Sequence, residues 1–277
     1  MVNHAAARFY QNAGAIFESV RDGENVIESW YIMQIKVIVA THKPYRMPTE
    51  EMYLPVQAGA AVHPPLEYTG DNTGEEISEK NGWYCELTAL YWAWKNISAD
   101  VLGLCHYRRY FQEPGKKQAL TEKTLRELLK EKPVILPKKR HYFIETGKSQ
   151  FIHAHGSESY ETLRQVMRDC APSFLPAFER SMEKTAGHRF NMLIMRREQL
   201  DDYCKWLFGI LFETEKRLVT PPPRMMGYLS ERMIDAWIET KKIPYLELPV
   251  YQTEKVNWLE KGGAFLIRKI KGASVSK

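Results

Sequence analysis

An α/β fold, with a mostly parallel central sheet flanked by helices, is what this sequence predicts, and three stretches carry the expectation. Val101-Leu102-Gly103-Leu104-Cys105 is apolar at every position, as suits a strand covered on both faces. Ahead of it, Trp83, Leu87, Leu90 and Trp94 recur at helical spacing, with Tyr84 and Tyr91 widening the stripe. Ile35–Ala40 is a second apolar strand. Both strands stop abruptly at polar clusters, Thr41-His42-Lys43-Pro44 and His106-Tyr107-Arg108-Arg109. Open α/β sheets hold their ligands at the carboxyl ends of their strands, so an anionic ligand is expected there.

The elements follow in chain order. Residues 1–32 form an N-terminal extension outside the core, with Phe9, Ala13, Ile16 and Phe17 at helical spacing. Met33 stands in front of the first strand, and a catalytic domain is expected over residues 33–255. Tyr68–Gly74 is turn-rich, with two glycines that let backbone approach a ligand. Ser78 is the expected N-cap of the helix that runs into Val101. Trp83, Leu87 and Leu90 are expected in the core, and Glu79 and Glu86, seven apart, share the edge of their stripe. Leu125 and Leu128-Leu129 mark a short helix, and Pro133–Pro137 a short strand followed by a solvated basic loop, Lys138–His141. His153 and His155 fall in a strand or loop before the helix of Tyr160, Leu163 and Met167. Phe190–Met195 is a strand, and Leu200 to Leu211 a strong helical face. Pro221–Pro223 breaks the chain. One last helix carries Leu229, Met233, Ala236 and Trp237, and Leu246–Val250 closes the sheet. Residues 256–277 are a basic tail.

Composition narrows the function classes. The 277 residues include 44% hydrophobic ones, enough for a full core. A formal charge of +5, spread along the chain, is too mild to argue for nucleic acid, but suits an anionic ligand or membrane surface. Four scattered cysteines without a C-x-x-C pair are expected as reduced core residues. No apolar run is long enough to span a bilayer, and residues 1–32 lack the apolar core of a signal peptide. G-x-G-x-x-G, the P-loop and G-x-S-x-G are all absent. His153, His155 and Glu158 fit no zinc spacing.

Two chemical candidates come from the residues alone. Arg108 and Arg109 are neighbours on a strand end, so they point to opposite faces and one of them meets the ligand. On a helix, Glu231 lies opposite Leu229, Met233 and Ala236 and shares its side with Ile234 and Ile238, so it is sandwiched and partly desolvated. It is either a desolvated general base with a raised pKa or the partner of Arg224 or Arg232.

The segments ATHKPYRMP, YTGDNTGEEISEKNGWYCELTALYWAWKN, LGLCHYRRYF, HRFNMLIM, YCKWLFGILFETE and MGYLSERMIDAWI resemble a bacterial capsular and exopolysaccharide glycosyltransferase family long catalogued as a domain of unknown function. Some of its members are linked to galactofuranosyl transfer. The resemblance runs from about Met33 to about Val250 and implies a GT-A-like nucleotide-diphospho-sugar transferase fold. It implies nucleotide-sugar contacts at Thr41, His42, Asp71, Asn72, Glu79, Lys80, Asn81, Tyr107, Arg108 and Arg109. Acceptor or sugar contacts are implied at His155, His188 and Asn191, and catalytic roles at Glu231 and His106. The chain departs from ordinary GT-A enzymes in having no Asp-x-Asp. Cationic side chains can neutralise a diphosphate, so metal-independent transfer without a cofactor is expected. The implied enzyme is cytoplasmic, with peripheral membrane contact. It transfers a hexose from a UDP-sugar to a lipid-linked polysaccharide acceptor. If Glu231 is not the base, Glu158, Asp71, Glu79 and Glu86 follow in that order. A non-catalytic nucleotide-sugar or saccharide binding subunit, and a phosphoryl-handling transferase, are the alternatives.

Overall fold

Strands apolar on both faces must be covered on both faces, and the tertiary structure, a computed structural model, does this around one central sheet. It describes residues 15–22, 25–142 and 144–254. The strands are β1 (Ala15–Asp22), β2 (Asn25–Ile32), β3 (Ile35–Thr41), β4 (Tyr53–Gln57), β5 (Thr69–Gly70), β6 (Val101–His106), β7 (Arg109–Phe111), β8 (Val134–Pro137), β9 (Arg140–His141), β10 (Ala186–Gly187), β11 (Leu193–Arg196), β12 (Tyr245–Leu248) and β13 (Val250–Gln252). The helices are α1 (Asn81–Tyr84), α2 (Leu87–Asn96), α3 (Glu122–Glu131), α4 (Gly147–His155), α5 (Glu158–Cys170), α6 (Leu175–Met182), α7 (Arg197–Arg217), α8 (Met225–Ser230) and α9 (Ile234–Lys241).

The central sheet has the order β12-β8-β11-β6-β3-β4-β5, with β7 and β13 joined at the β6 end. Along that path only β11 runs against its neighbours. The parallel pairs are β12 with β8, β6 with β3, β3 with β4, and β4 with β5. Period-two alternation divides the core. Ile38, Ala40, Leu102 and Leu104 face the larger helical layer, built on residues of α2, α5, α6, α7 and α9. Val37, Val39, Val101 and Cys105 face a smaller layer with Leu125 and Leu129 of α3. The expected α/β class, mostly parallel and flanked by helices, is the one observed.

Local expectations differ in instructive ways. Ile16 and Phe17 lie in the hairpin β1–β2 rather than a helix, and that hairpin pairs only with itself. Phe9, Ala13 and the tail at 256–277 lie outside the described residues. The long helix before β6 is broken. A 3-10 turn, Ser78–Lys80, and α1 precede Cys85, whose φ of 51° ends α1 before α2 begins. The break turns Trp83 outward, to 37% exposure, while Leu87 and Leu90 stay buried. Ser78 does not cap a helix through its side chain. The chain from His153 to His155 is helical, within α4, because Thr146 caps that helix by accepting from the Ser149 N–H. Cys85 is half-buried and Cys170 exposed, against the expectation of four core thiols, although all four are free. Lys138–His141 is not all loop, since Arg140–His141 pairs with Ala186–Gly187.

Asp71 holds the loop after β5. It is fully buried, and its carboxylate accepts the N–H groups of Gly59 and Ala60, both at 2.9 Å, and the Ser78 hydroxyl. Gly59 has φ +73°, a left-handed turn that glycine adopts without strain. Asp71→Ala strands three donors, of which those of Gly59 and Ser78 are buried, and each orphaned buried group costs about 1–3 kcal/mol. The expected result is a clear drop in the urea unfolding midpoint without a change of fold. An unchanged midpoint would show that the staple is dispensable.

Candidate functional site

The sheet order reverses between β3 and β6. From β3 the chain winds toward β4 and β5, and from β6 toward β11. Such a switch point leaves a crevice outside the carboxyl ends of the strands. A cleft of about 530 Å³ lies there, lined by Thr41 at the end of β3 and His42 after it, Ala58 after β4, and His106 at the end of β6. Asn81, Gly82, Cys85 and Glu86 supply one wall, and Arg108, Arg224 and His63 add donors. Ala40 pairs directly with His106, so the two polar strand ends stand side by side.

The wall depends on the break at Cys85. Its carbonyl accepts from Asn81 Nδ2 at 2.9 Å, Thr88 Oγ1 at 3.0 Å and the Thr88 N–H at 3.2 Å. Three donors hold a non-glycine residue at positive φ, a conformation costing about 1–3 kcal/mol that concentrates at functional sites. The reorientation places Glu86 on the cleft. A second such residue, Arg224 with φ 64°, sits opposite, and its N–H donates to the Gly82 carbonyl at 2.8 Å.

Beside the cleft lies a water-sized recess of about 20 Å³, lined by Glu86, His106, Arg109, Asn191 and Glu231. Glu86 and His106 border both spaces. Asn191 Nδ2 donates to Glu86 Oε1 at 3.0 Å and to the Gly227 carbonyl at 3.1 Å, while its Oδ1 accepts from Ser230 Oγ at 2.7 Å. Arg109, the first residue of β7, turns to this recess and Arg108 to the cleft; the two part as expected, although Arg108 lies in the turn between β6 and β7 and not on a strand.

Two groups here have shifted ionisation. Burial raises the Glu231 carboxyl to about 7, against the pull of Arg232 and with help from nearby Glu86. Arg232 NH1 also donates to Glu231 Oε2 at 3.1 Å, so the desolvated carboxyl and the ion pair are one arrangement. Glu231 is not inside a helix, however; it caps the C-terminus of α8 in the turn before α9. His106 moves the other way, to about 3, through burial and then the charges of Arg109 and Arg108. It is therefore a neutral imidazole near pH 7. Its Nδ1 accepts from the Arg108 N–H at 3.4 Å, which leaves the proton on Nε2.

The other expected site residues divide. Thr41, His42, Asn81, His106 and Arg108 line the cleft, and Arg109, Asn191 and Glu231 the recess. Tyr107 is buried under this end of the sheet, with His42, Tyr45 and His106 packed on its ring. Asp71 is the buried loop staple, and Asn72 and Glu79 are exposed outside the cleft lining. Lys80 points to α7, where its ammonium meets Glu215 at 2.8 Å. His188 is buried between Asp235, at 2.5 Å, and Glu247, at 3.1 Å. His155 lies on α4, stacked on Tyr228 with ring centroids 4.2 Å apart. Glu158, Asp71 and Glu79 ranked ahead of Glu86 as alternative bases, yet Glu86 alone of the four borders the cleft and the recess. Among the described residues, no three His, Cys, Asp or Glu side chains gather in a way that could hold a metal ion.

Comparison with known proteins places the chain. The family described as Domain of unknown function (DUF4422) matches residues 36–242. The chain belongs to that family. Its match spans every strand from β4 to β11 and all nine α-helices of the described residues, and stops short of β12 and β13. No curated protein matches. Among solved structures, the chain is similar to the WbbM bifunctional glycosyltransferase in its apo form, with a TM-score of 0.74 at 24% identity. The match covers 80% of this chain but 46% of that one, so this DUF4422 chain spans about half the length of WbbM. The likeness shows a shared fold.

Glu86, Arg224, His63 and Gly82 are the site residues that sequence reasoning passed over or ranked last. Pro221–Pro223, which halts α7 and delivers Arg224 to the cleft, was the available signal for one of them.

The ionisation of Glu231 has a stability consequence with a definite sign. The folded carboxyl titrates near 7 and the ordinary value is 4.5, so the protonated form favours the folded state. That contribution is full below about 4.5 and is lost as the pH rises through about 7. Glu231→Gln cannot lose a proton. The wild type should therefore lose stability relative to Glu231→Gln between pH 4.5 and 7, measured by urea unfolding at successive pH values. A constant difference across that window would show that the carboxyl is not raised.

Proposed function

We propose that this chain is a metal-independent glycosyltransferase of GT-A-like fold. In this reading it moves a hexose, galactofuranose being the leading case, from a UDP-sugar to a lipid-linked saccharide at the cytoplasmic face of a membrane. The observation that carries the reading is one juxtaposition. A cleft at the switch point, lined by Arg108, Arg224 and the imidazoles of His42, His63 and His106, abuts a carboxyl that ionises near 7. The first part suits a diphosphate, which needs cationic and hydrogen-bonding partners. The second suits a general base at neutral pH. The fold shared with the WbbM bifunctional glycosyltransferase supports the same class. No helix of the described residues is long and apolar enough to cross a membrane, so the lipid-linked acceptor would be met at the surface.

The chemistry follows from these placements. The UDP diphosphate lies against Arg108 and Arg224, with the Nε2–H of His106 donating to it. Glu231, ionised, takes the proton of an acceptor hydroxyl. That oxygen attacks the anomeric carbon, the bond from this carbon to the diphosphate oxygen breaks, and its electron pair leaves with UDP. Negative charge grows on the diphosphate as the bond breaks, and donors already aimed there stabilise the transition state more than the ground state. His106, neutral, adds a hydrogen bond without the cost of burying a third charge beside two arginines.

Calorimetric titration tests the reading. UDP should bind equally well in EDTA and in manganese. Removing a charged hydrogen-bond partner costs about 1.5–3 kcal/mol, so Arg108→Ala should weaken UDP by roughly ten- to a hundredfold. Turnover of UDP-galactofuranose should rise about tenfold per pH unit up to about pH 7 and then level, and in Glu231→Gln it should fall by about a hundredfold or more while UDP still binds. Affinity seen only with manganese would overturn the metal-free reading. UDP binding without turnover of any UDP-sugar would point instead to a binding subunit.

A further inference from the structure

From Arg224, a row of stacked groups leads outward away from the cleft. Arg224, on the cleft wall, places its guanidinium 5.4 Å from the centroid of the Tyr228 ring. Tyr228 stacks on His155 at 4.2 Å with the rings 23° apart. His155 in turn meets Phe151 at 5.0 Å, and Phe151 is fully buried and anchors α4 to the core. Tyr228 and His155 are only half-buried, so the row starts at the cleft and runs outward along the surface.

The same helix ties this row to the base. Tyr228 lies in α8 and Glu231 is its C-terminal cap. Residues three apart on a helix are neighbours on one face. Tyr228 therefore stands one helical turn ahead of Glu231, on the element that carries it. Close packing of α8 on α1 keeps it there. The Arg224 N–H, bound to the Gly82 carbonyl at 2.8 Å, ties the start of α8 to α1.

A sugar ring has an apolar C–H surface and a hydroxyl edge. It is recognised by aromatic rings together with a few fixed polar groups. The row supplies an aromatic pair with a planar guanidinium at one end and an imidazole at the other. We infer that Tyr228 and His155, next to Arg224 at the cleft edge, form the seat of the acceptor saccharide, with Tyr228 the principal contact. This rests on the proposed glycosyl transfer for its purpose, but the binding itself can be measured without it.

The experiment uses the full chain and two soluble glycosides, octyl β-D-galactopyranoside and octyl β-D-glucopyranoside. Saturation-transfer NMR reads glycoside binding, and calorimetry reads UDP separately. At least one glycoside should receive saturation from the wild type. The signal should fall at least fivefold in Tyr228→Ala and in His155→Ala and persist in Tyr228→Phe, with UDP affinity within twofold throughout. His155→Ala, on a half-exposed helix position, keeps the test alive if Tyr228→Ala fails to fold. The seat is overturned if the alanine variants bind the glycoside as wild type does, if they lose UDP in equal measure, or if neither glycoside binds the wild type. If the wild type binds a glycoside through Tyr228 but not UDP, the seat stands and the nucleotide-sugar reading falls.

Discussion

Ile35 to Ala40 pair in parallel with Val101 to His106, and because the partners run the same way, their carboxyl ends must open on the same side of the sheet. Every other feature of the site depends on that pairing. Parallel strands cannot be joined by a tight turn, so a crossover that packs on a face of the sheet must lie between them. The chain meets this demand with β4 and β5 on one side of β3, and β11, β8 and β12 beyond β6. The strand order reverses between the two central strands, and no crossover covers their ends. The polar groups after β3 and β6 thus lie in a crevice with apolar strands behind them.

Within that crevice, like and unlike charges are set against one another. Glu86 and Glu231 share a water-sized recess with Arg109, and Arg232 pairs with Glu231 from behind. Burial and the second carboxylate push the Glu231 proton affinity up, while the arginines restrain the shift. The balance lands near neutrality, where a carboxyl can exchange a proton with a substrate. His106 feels burial and then the charges of Arg109 and Arg108, and these drive it to the neutral form. Burial therefore moves the carboxyl up and the imidazole down, while neighbouring arginines pull both down.

The strands and the strand-end clusters were legible because burial on both faces demands an unbroken apolar run, and the run ends where solvent begins. Val101–Cys105 and, after Lys36, Val37–Ala40 meet that demand, and Thr41, His42, His106 and Arg108 line the cleft at the strand ends. The break at Cys85 was not legible. Trp83, Leu87 and Leu90 keep helical spacing straight through it, and the hydrogen bonds that hold the left-handed residue come from Asn81 and Thr88, residues with ordinary roles in an uninterrupted helix. With the break missed, Trp83 was assigned to the core and Glu86 ranked last. Asp71, Lys80 and His188 show the converse error. Each is a polar residue in a motif-rich stretch, and each is occupied by a structural partner.

What the sequence by itself determined is the class of fold, the positions of the central strands, and the concentration of cationic and imidazole groups at their ends. These follow from local periodicity and from the penalty for burying unpaired polar groups, which act on neighbours along the chain. Tertiary structure alone decided which carboxylates meet. Glu86 and Glu231 stand 145 positions apart in the sequence, and they share a recess only because the Cys85 turn and the α8 cap aim them at the same point. The ionisation of Glu231 is likewise a property of the assembled site, since desolvation and the charges of Arg232, Glu86 and Arg109 exist only once distant segments have packed together.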